Sequence, residues 1–246
     1  MVKISVITVC FNAISTLEKT ILSVLNQSYP NIEYIIIDGG STDGSVDIIK
    51  KYADRLFYWV SEPDKGIYDA MNKATSVATG DFLYFIGADD DLVSTIILSR
   101  IAENLKEKNT IYYGKVRFIP SQKIYGPKIN KFRFSFMNIP HQAIFYPKHV
   151  FSKYKYDLSY PLFADYMLNI NCYLDKSLRF CYINEVVCNF FSYGASSNSK
   201  RDINFRQEFP RFVYDRMGVF YFLCRKIMLL LLGLKHKIWI HLNFLR

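Results

Sequence analysis

The chain has 246 residues, of which 50% are apolar and 22% charged, and its 31 basic and 22 acidic residues give a net charge of +9. That length supports one large domain or a domain with an appendage, and the composition excludes a disordered, collagen-like or low-complexity protein. The charge is lopsided: residues 1–215 carry 25 basic and 22 acidic residues, whereas the chain after Asp215 carries six basic residues and no acid.

Lys3 to Cys10 (KISVITVC) is a β-branched run of strand length, without the basic start and long apolar core of a signal peptide. Ser15 and Glu18 have capping-box spacing, and Leu17, Ile21, Val24 and Leu25 follow at helical period. Glu33 to Ile37 reads as a second strand, closing on Asp38 and the loop to Ser45; Val46, Ile49 and Tyr52 open a second helix. Leu56 to Val60 is a third strand, Gly66 to Val77 a helix, and Asp81 to Ile86 a fourth strand ahead of Ala88-Asp89-Asp90-Asp91. Leu92 to Leu105 is expected as one helix and Ile111 to Val116 as a further strand. This alternation predicts an α/β fold with a mostly parallel central sheet flanked by helices. The loops Phe11-Asn12, Asp38–Ser45, Ser61–Lys65 and Gly87–Asp91 then share the carboxyl edge, where such sheets bind ligands.

The second half is less regular. Lys115 to Phe136 is basic and aromatic, and His141-Gln142 precedes an apolar segment, Ala143 to Tyr146. Leu162 to Leu174 suits a helix, Arg179 to Phe191 a strand, and Ser192 to Asn204 a mobile polar loop. With no internal repeat and no clear linker, the chain reads as one domain over 1–215, divided into halves at 110/111, with a tail over 216–246. Five cysteines, an odd number with no C-x-x-C pair, read as buried free thiols of a cytoplasmic protein.

The Asp38 loop is Gly-rich but is neither G-x-G-x-x-G nor a P-loop. An acid at a strand end can accept from a base or ribose, and small residues let a flat ring approach the backbone; an ordinary tight turn is the alternative. Asp89-Asp90-Asp91 suits a hard divalent ion shared with phosphates, or the first turn of a helix.

Four blocks in order, Ser5–Asn12 (SVITVCFN), Asp38–Ser45 (DGGSTDGS), Ser61–Asn72 (SEPDKGIYDAMN) and Ala78–Asp90 (ATGDFLYFIGADD), resemble the family 2 inverting glycosyltransferases of GT-A fold, of the kind that builds bacterial O-antigen, capsule or exopolysaccharide repeats. The resemblance spans residues 3–95 closely and 135–195 more loosely. It implies a nucleotide-sugar donor, UDP ahead of GDP, and Mn²⁺ or Mg²⁺ as cofactor. By matching position, Asp38 would bind the nucleobase, with Thr8 and Asn12 lining the same pocket. Asp64 and Lys65 would lie near the nucleotide, and Asn72 would face the cleft. Asp89 holds the last position of the D-x-D motif and would contact the metal; Gly87 stands at the first position, and Asp90 would substitute or orient. A carboxylate at a helix start in the second half would be the general base. Asp165 fits that place, with Asp157 as runner-up and a solvated helix-start acid as the plain alternative. His141 and Gln142 would bind acceptor hydroxyls or a diphosphate. A single displacement would turn an α-linked donor into a β-linked product, and the missing Q-x-x-R-W signature implies transfer of one sugar.

Gly218 to Leu234 is strongly apolar but broken by Arg225-Lys226, and Lys235, Lys237, Trp239 and His241 follow. Basic groups beside an aliphatic-aromatic face suit a helix lying in an anionic membrane surface, with a helix packed on the domain as the alternative. So aliphatic a segment does not suit nucleic acid. The expectation is a cytoplasmic enzyme, peripheral at the inner face of the cell membrane, acting on a lipid-linked (polyprenyl diphosphate) saccharide. A nucleotidyltransferase on a similar sheet, a GDP-sugar-dependent transferase and a catalytically silent nucleotide-sugar-binding or assembly protein stay open.

Overall fold

Strand β1 (Ile4–Cys10) is buried at every position, as an uninterrupted β-branched run requires of a strand covered on both faces. In the computed structural model, which describes residues 1–191 and 202–244, β1 lies between β2 (Ile32–Asp38) and β4 (Phe82–Gly87), parallel to both. β3 (Tyr58–Ser61) adds in parallel outside β2. The crossovers are α1 (Leu17–Leu25), α2 (Ser45–Lys51) and α3 (Ile67–Val77), which bury Leu17, Ile21 and Val24, Ile49, and Tyr68, Met71 and Ala74 in turn.

The sequence expectation fails at two places here. The Ser15–Glu18 capping box does not form: α1 starts after Thr16 with no side-chain cap. Glu18 instead accepts from Lys51 Nζ (2.6 Å) and the Tyr52 hydroxyl (2.7 Å), donors that only the folded chain brings near. Nor is Leu92 to Leu105 one helix. Asp91–Leu92 is a short strand, β5, antiparallel to β9 (Arg179–Phe191), and α4 covers only Ile97–Ala102. Pairing with Asn189 and Cys188 supplies the backbone partners that a helical turn would otherwise have given.

Strands β6 (Thr110–Ile119), β7 (Ile124–Tyr125) and β8 (Ile144–Pro147) complete the sheet, whose order is β3-β2-β1-β4-β8-β6-β9-β5 with β7 beside β6. β8 inserts antiparallel between β4 and β6, while β6 and β9 run parallel. The short helix α6 (Val150–Lys153) and then α7 (Ala164–Leu174) follow β8, and α7 buries Ala164 through Ile170. Cys10, Cys172 and Cys188 are buried free thiols, as expected, whereas Cys181 is exposed and Cys224 partly so.

The chain divides into two compact units, one of Met1–Pro127 with Ile139–Arg201 and one of Lys128–Asn138 with Asp202–Arg246. The second holds α5 (Lys131–Phe134), α8 (Ile203–Met217) and α9 (Val219–Phe244). Asp202 caps α8 by accepting from Phe205 N (3.0 Å). Phe205 stacks on Phe209, the Arg225 guanidinium lies over Phe209, and Lys131 Nζ lies over the Tyr221 ring. The tail boundary expected at 215/216 falls inside α8. The polar loop expected from Ser192 lies, as far as Arg201, outside the described residues. Among the described residues no helix is long and apolar enough to cross a membrane.

At the amino edge of the sheet, buried Glu33 pairs with Lys3 Nζ (2.6 Å) and accepts from Ser5, Thr79 and the Gly80 amide. Burial alone would raise its pKa, but the bonds from Lys3, Ser5 and Thr79 outweigh it and lower it to about 2. A carboxyl depressed on folding stabilises fully above its unfolded pKa and loses that contribution as pH falls through the folded value. Thermal unfolding followed against pH is therefore expected to lose about 3 kcal/mol between about pH 4.5 and 2. Glu33→Gln should flatten that slope and lower stability by a similar amount at pH 7.

Candidate active site

Because β1, β2, β3 and β4 are parallel, their carboxyl ends lie along one edge, with Cys10, Asp38 and Ser61 in register. Asp38 is fully buried there and accepts from the amides of Gly40 (3.1 Å) and Ser41 (2.9 Å), the hydroxyls of Ser41 and Ser61, and Cys10 Sγ (3.4 Å). Burial would raise its pKa, yet these bonds, Ser41 and Ser61 foremost, hold it below the ordinary range. Asp38 is an ionised carboxylate whose oxygens are engaged in shaping its own loop. The carboxylate that lies over this loop is Asp64: Oδ1 accepts from Gly66 N (2.8 Å), and a Cβ built on Gly39 would come within 2.5 Å of Oδ2. Gly39 is thus the residue that lets Asp64 reach the strand end.

Asn12 joins the first loop to this one, accepting from Thr42 N (3.0 Å) and donating its own amide to Ser41 Oγ (2.7 Å). Thr8 sits deeper in β1, where its hydroxyl pairs with that of Tyr34 (2.9 Å). Lys65 is exposed on the loop beside Asp64. Asn72 clamps a neighbouring segment, donating to Tyr156 O (2.8 Å) and accepting from Tyr156 N (3.0 Å). The structure therefore brings Asn12, Asp38, Asp64 and Lys65 to one edge and engages Thr8 and Asn72 inside the fold.

The three aspartates after β4 diverge. Asp91 pairs with Lys19 (2.8 Å) and accepts from Asn189 (3.1 Å). Asp90 points inward, is 1% exposed, and accepts from Phe191 N (2.9 Å) and Gln142 Nε2 (3.0 Å). Asp89 is partly exposed. A Cβ at Gly87 would lie 2.8 Å from Asp89 Oδ1 and 2.8 Å from Asp90 Oδ2, so the missing side chain is what admits both carboxylates. Burial raises the pKa of Asp89; burial and then the Asp89 charge push Asp90 up to about 7. Two carboxylates so poorly neutralised suit a divalent ion. Among the described residues no cluster of three or more His, Cys, Asp or Glu forms a metal cage, and Mg²⁺-type sites commonly take only one or two carboxylates and fill the rest with water and substrate phosphate.

Asp165 begins α7 and is 6% exposed, so it is not the solvated helix-start acid. Its Oδ1 accepts from the Tyr68 hydroxyl (2.9 Å) and Tyr166 N (2.8 Å), and its Oδ2 lies 3.7 Å from His141 Nδ1. His141 also acts electrostatically on Asp89 and Asp90, and its Nε2 is buried without a hydrogen-bond partner among the described residues. It stands between the acid loop and Asp165. Gln142 is turned away, its side-chain amide donating to Asp90 and its backbone carbonyl accepting from Tyr84 (3.0 Å). Asp157 is exposed and accepts from the amide and hydroxyl of Ser159. Tyr68, Ser41 and Ser61 were not singled out from sequence; Tyr68 has the helical spacing of a core residue with Met71, and nothing local marks its partner.

The carboxyl edge thus gathers Asn12, Asp38, Asp64 and Lys65, the loop after β4 sets Asp89 beside the inward-turned Asp90, and Asp165 lies buried facing His141. Residues 5–158 match the family model "Glycosyl transferase family 2". The chain is also 33% identical over 222 residues to a "PGL/p-HBAD biosynthesis glycosyltransferase" of Mycobacterium tuberculosis, a match covering 87% of this chain and 86% of the relative. The chain belongs to glycosyl transferase family 2 and is a glycosyltransferase of GT-A fold. Among solved structures, S. aureus TarS 1–349 is similar with a TM-score of 0.66 and 18% identity over 77% of this chain; the chain spans only 60% of that structure. The mannosyltransferase PcManGT of Pyrobaculum calidifontis, solved with GDP-Man and Mn²⁺, gives 0.63 and 16% over 77% of this chain and 56% of its own. At these identities the structural likeness shows the fold. The relatives named are not specifically O-antigen builders.

Proposed function

We propose that the protein transfers one sugar from a UDP-hexose or UDP-N-acetylhexosamine to a hydroxyl of a lipid-linked saccharide in surface glycan synthesis, with inversion to a β-linkage. The observation that carries this reading is Asp165, a carboxylate buried at a helix start, oriented by Tyr68 and facing His141. Asp165 Oδ2 takes the proton of the acceptor hydroxyl while that oxygen attacks the anomeric carbon; the bond from that carbon to the diphosphate breaks on the opposite face, and the nucleoside diphosphate leaves. Asn12, the Asp38 loop, Asp64 and Lys65 hold the nucleotide, and the orphaned His141 Nε2 meets an acceptor hydroxyl or a diphosphate oxygen. Asp89, next to the Asp90 that Gln142 holds in place, would hold Mn²⁺ or Mg²⁺, and such an ion would supply positive charge for the departing diphosphate. A TarS structure with UDP-GlcNAc supports UDP as the donor nucleotide, and the GDP-Man complex of PcManGT makes GDP the comparison to run.

Calorimetric titration with UDP and GDP, each with and without Mn²⁺, tests the donor reading. UDP is expected to bind only with Mn²⁺, and Asp89→Asn to weaken that binding at least about tenfold. Folded protein that binds neither nucleotide would move the reading to a silent assembly role.

The tail belongs to the same proposal. Along α9, Phe220, Leu223, Ile227, Leu230 and Leu231 recur on one face and all are exposed, Phe220 at 65% and Leu230 at 67%, beside Lys226. Such a face suits an anionic membrane surface; the side chains beyond Leu232 lie outside the described residues. Flotation with vesicles containing anionic lipid is expected to recover the full chain and to lose Phe220→Ser/Leu223→Ser/Ile227→Ser; equal recovery of both would remove the membrane from the proposal.

A further inference from the structure

We infer that Tyr68 is a positioning residue of the transfer reaction, its hydroxyl fixing the Asp165 carboxylate in the orientation that accepts the acceptor's proton. The inference rests on Asp165 being the general base and goes beyond it by naming the group through which the donor-side loop governs that base.

Tyr68 is the second residue of α3, at the end of the loop that carries Asp64 and Lys65. Tyr68 is 5% exposed, and a buried phenol needs a polar partner. Two acceptors lie at 2.9 Å, Asp165 Oδ1 and the Leu162 carbonyl. The phenol has one proton to give, and the carboxylate is the stronger acceptor. Burial and the Asp165 charge raise the Tyr68 pKa well above the usual value, so the proton stays on the phenol. With the Tyr166 amide at 2.8 Å on the same oxygen, Oδ1 is held from two helices, and this sets the plane of the carboxylate and turns Oδ2 toward His141.

The ring itself cannot swing. It stacks on Tyr156 at 5.2 Å, and the backbone of Tyr156 is clamped on both its N–H and C=O by Asn72, one turn along α3. This gives Asn72 an indirect part in the same arrangement. Among the described residues, the titratable groups facing Asp165 include Tyr68 from α3, His141 from the turn before β8, Tyr146 from β8 and Tyr156 from the segment before α7. Burial holds the three phenols neutral, and His141 is the neighbour among them whose charge the experiment separates from that of Asp165.

Phenylalanine would fill the same space without the hydroxyl, so Tyr68→Phe separates positioning from packing. In steady-state assays with UDP-sugar and acceptor, kcat is expected to fall about 10- to 100-fold, part of what a general base supplies, with the donor KM changed by less than about twofold. A lost donor bond disfavours the carboxylate form, so the acid limb of the kcat profile should move to higher pH, in the parent and again in a His141→Gln background. A difluorotyrosine at position 68, a stronger donor of nearly the same shape, should move the limb to lower pH, and it carries the test if Tyr68→Phe does not fold. An unmoved limb in both variants, in a protein that Asp165→Asn inactivates, overturns the positioning role alone. An active Asp165→Asn overturns the general-base reading, and this inference with it.

Discussion

Asp165→Asn is expected to lower kcat by about 10²- to 10⁴-fold, while UDP still binds with Mn²⁺ at close to its original affinity. Asparagine preserves the shape and can still accept from Tyr68 and Tyr166 N, which donate to Asp165 Oδ1. It cannot take up a proton at the oxygen that faces His141. The local frame is thus retained and only the base is removed, which is why binding and turnover should part. Acceptor-dependent UDP release measured beside calorimetry of UDP reads the two separately. A kcat within tenfold of the parent would transfer the role elsewhere. Asp157 is a weak successor, because it is exposed and already engaged by the Ser159 amide (2.9 Å) and hydroxyl (2.7 Å).

Gly87→Asp, which restores the acid usually found at that place in the motif, is expected to damage the protein rather than improve it. A Cβ there would lie 2.8 Å from a carboxylate oxygen of Asp89 and 2.8 Å from one of Asp90. Asp90 cannot retreat, since Gln142 and Phe191 N hold it from two sides. A third carboxylate would add negative charge where burial already opposes ionisation of both neighbours. Overpacking and uncompensated charge together are expected to cost about 2–4 kcal/mol, a fall in Tm of about 5–15 °C. Gly87→Ala isolates the steric part, expected at about 1–2 kcal/mol. Thermal unfolding of the three proteins decides it: an unchanged Tm for Gly87→Asp would mean that the two carboxylates are not locked over residue 87.

The first four strands and the edge they define were legible because each is a short apolar run ending on a polar loop, a pattern that needs only local information. The buried state of Asp165 was not legible, since an acid at a helix start is as often solvated, and its cover comes from Tyr68, 97 residues earlier. The same reason explains the misread helix after Asp91, whose backbone partners sit in β9, and the different fates of three consecutive aspartates, each decided by a partner from another element. Glu18 is the reverse case: a local signal that was real in sequence terms but lost to Lys51 and Tyr52. The spacing of Asp38 within its motif located the loop correctly, whereas the saturation of its carboxylate by five donors depends on Cys10 and Ser61 arriving from neighbouring strands.

The insertion of β8 between β4 and β6 bears on how this enzyme comes into being. β6 is synthesised before β8 but cannot join the sheet until β8 has docked on β4, because β8 is the strand that touches both. Asp90 waits longer still: its backbone carbonyl takes the Thr20 hydroxyl early, but its side chain is closed by Gln142 and finally by Phe191 N. Such distant pairings form late and slowly. A nascent chain stopped near residue 127 would therefore carry all four strand-end loops and still lack the partners that close the Asp90 side chain. The loop after β4 is therefore finished from the second half of the chain, by the turn before β8 and the end of β9.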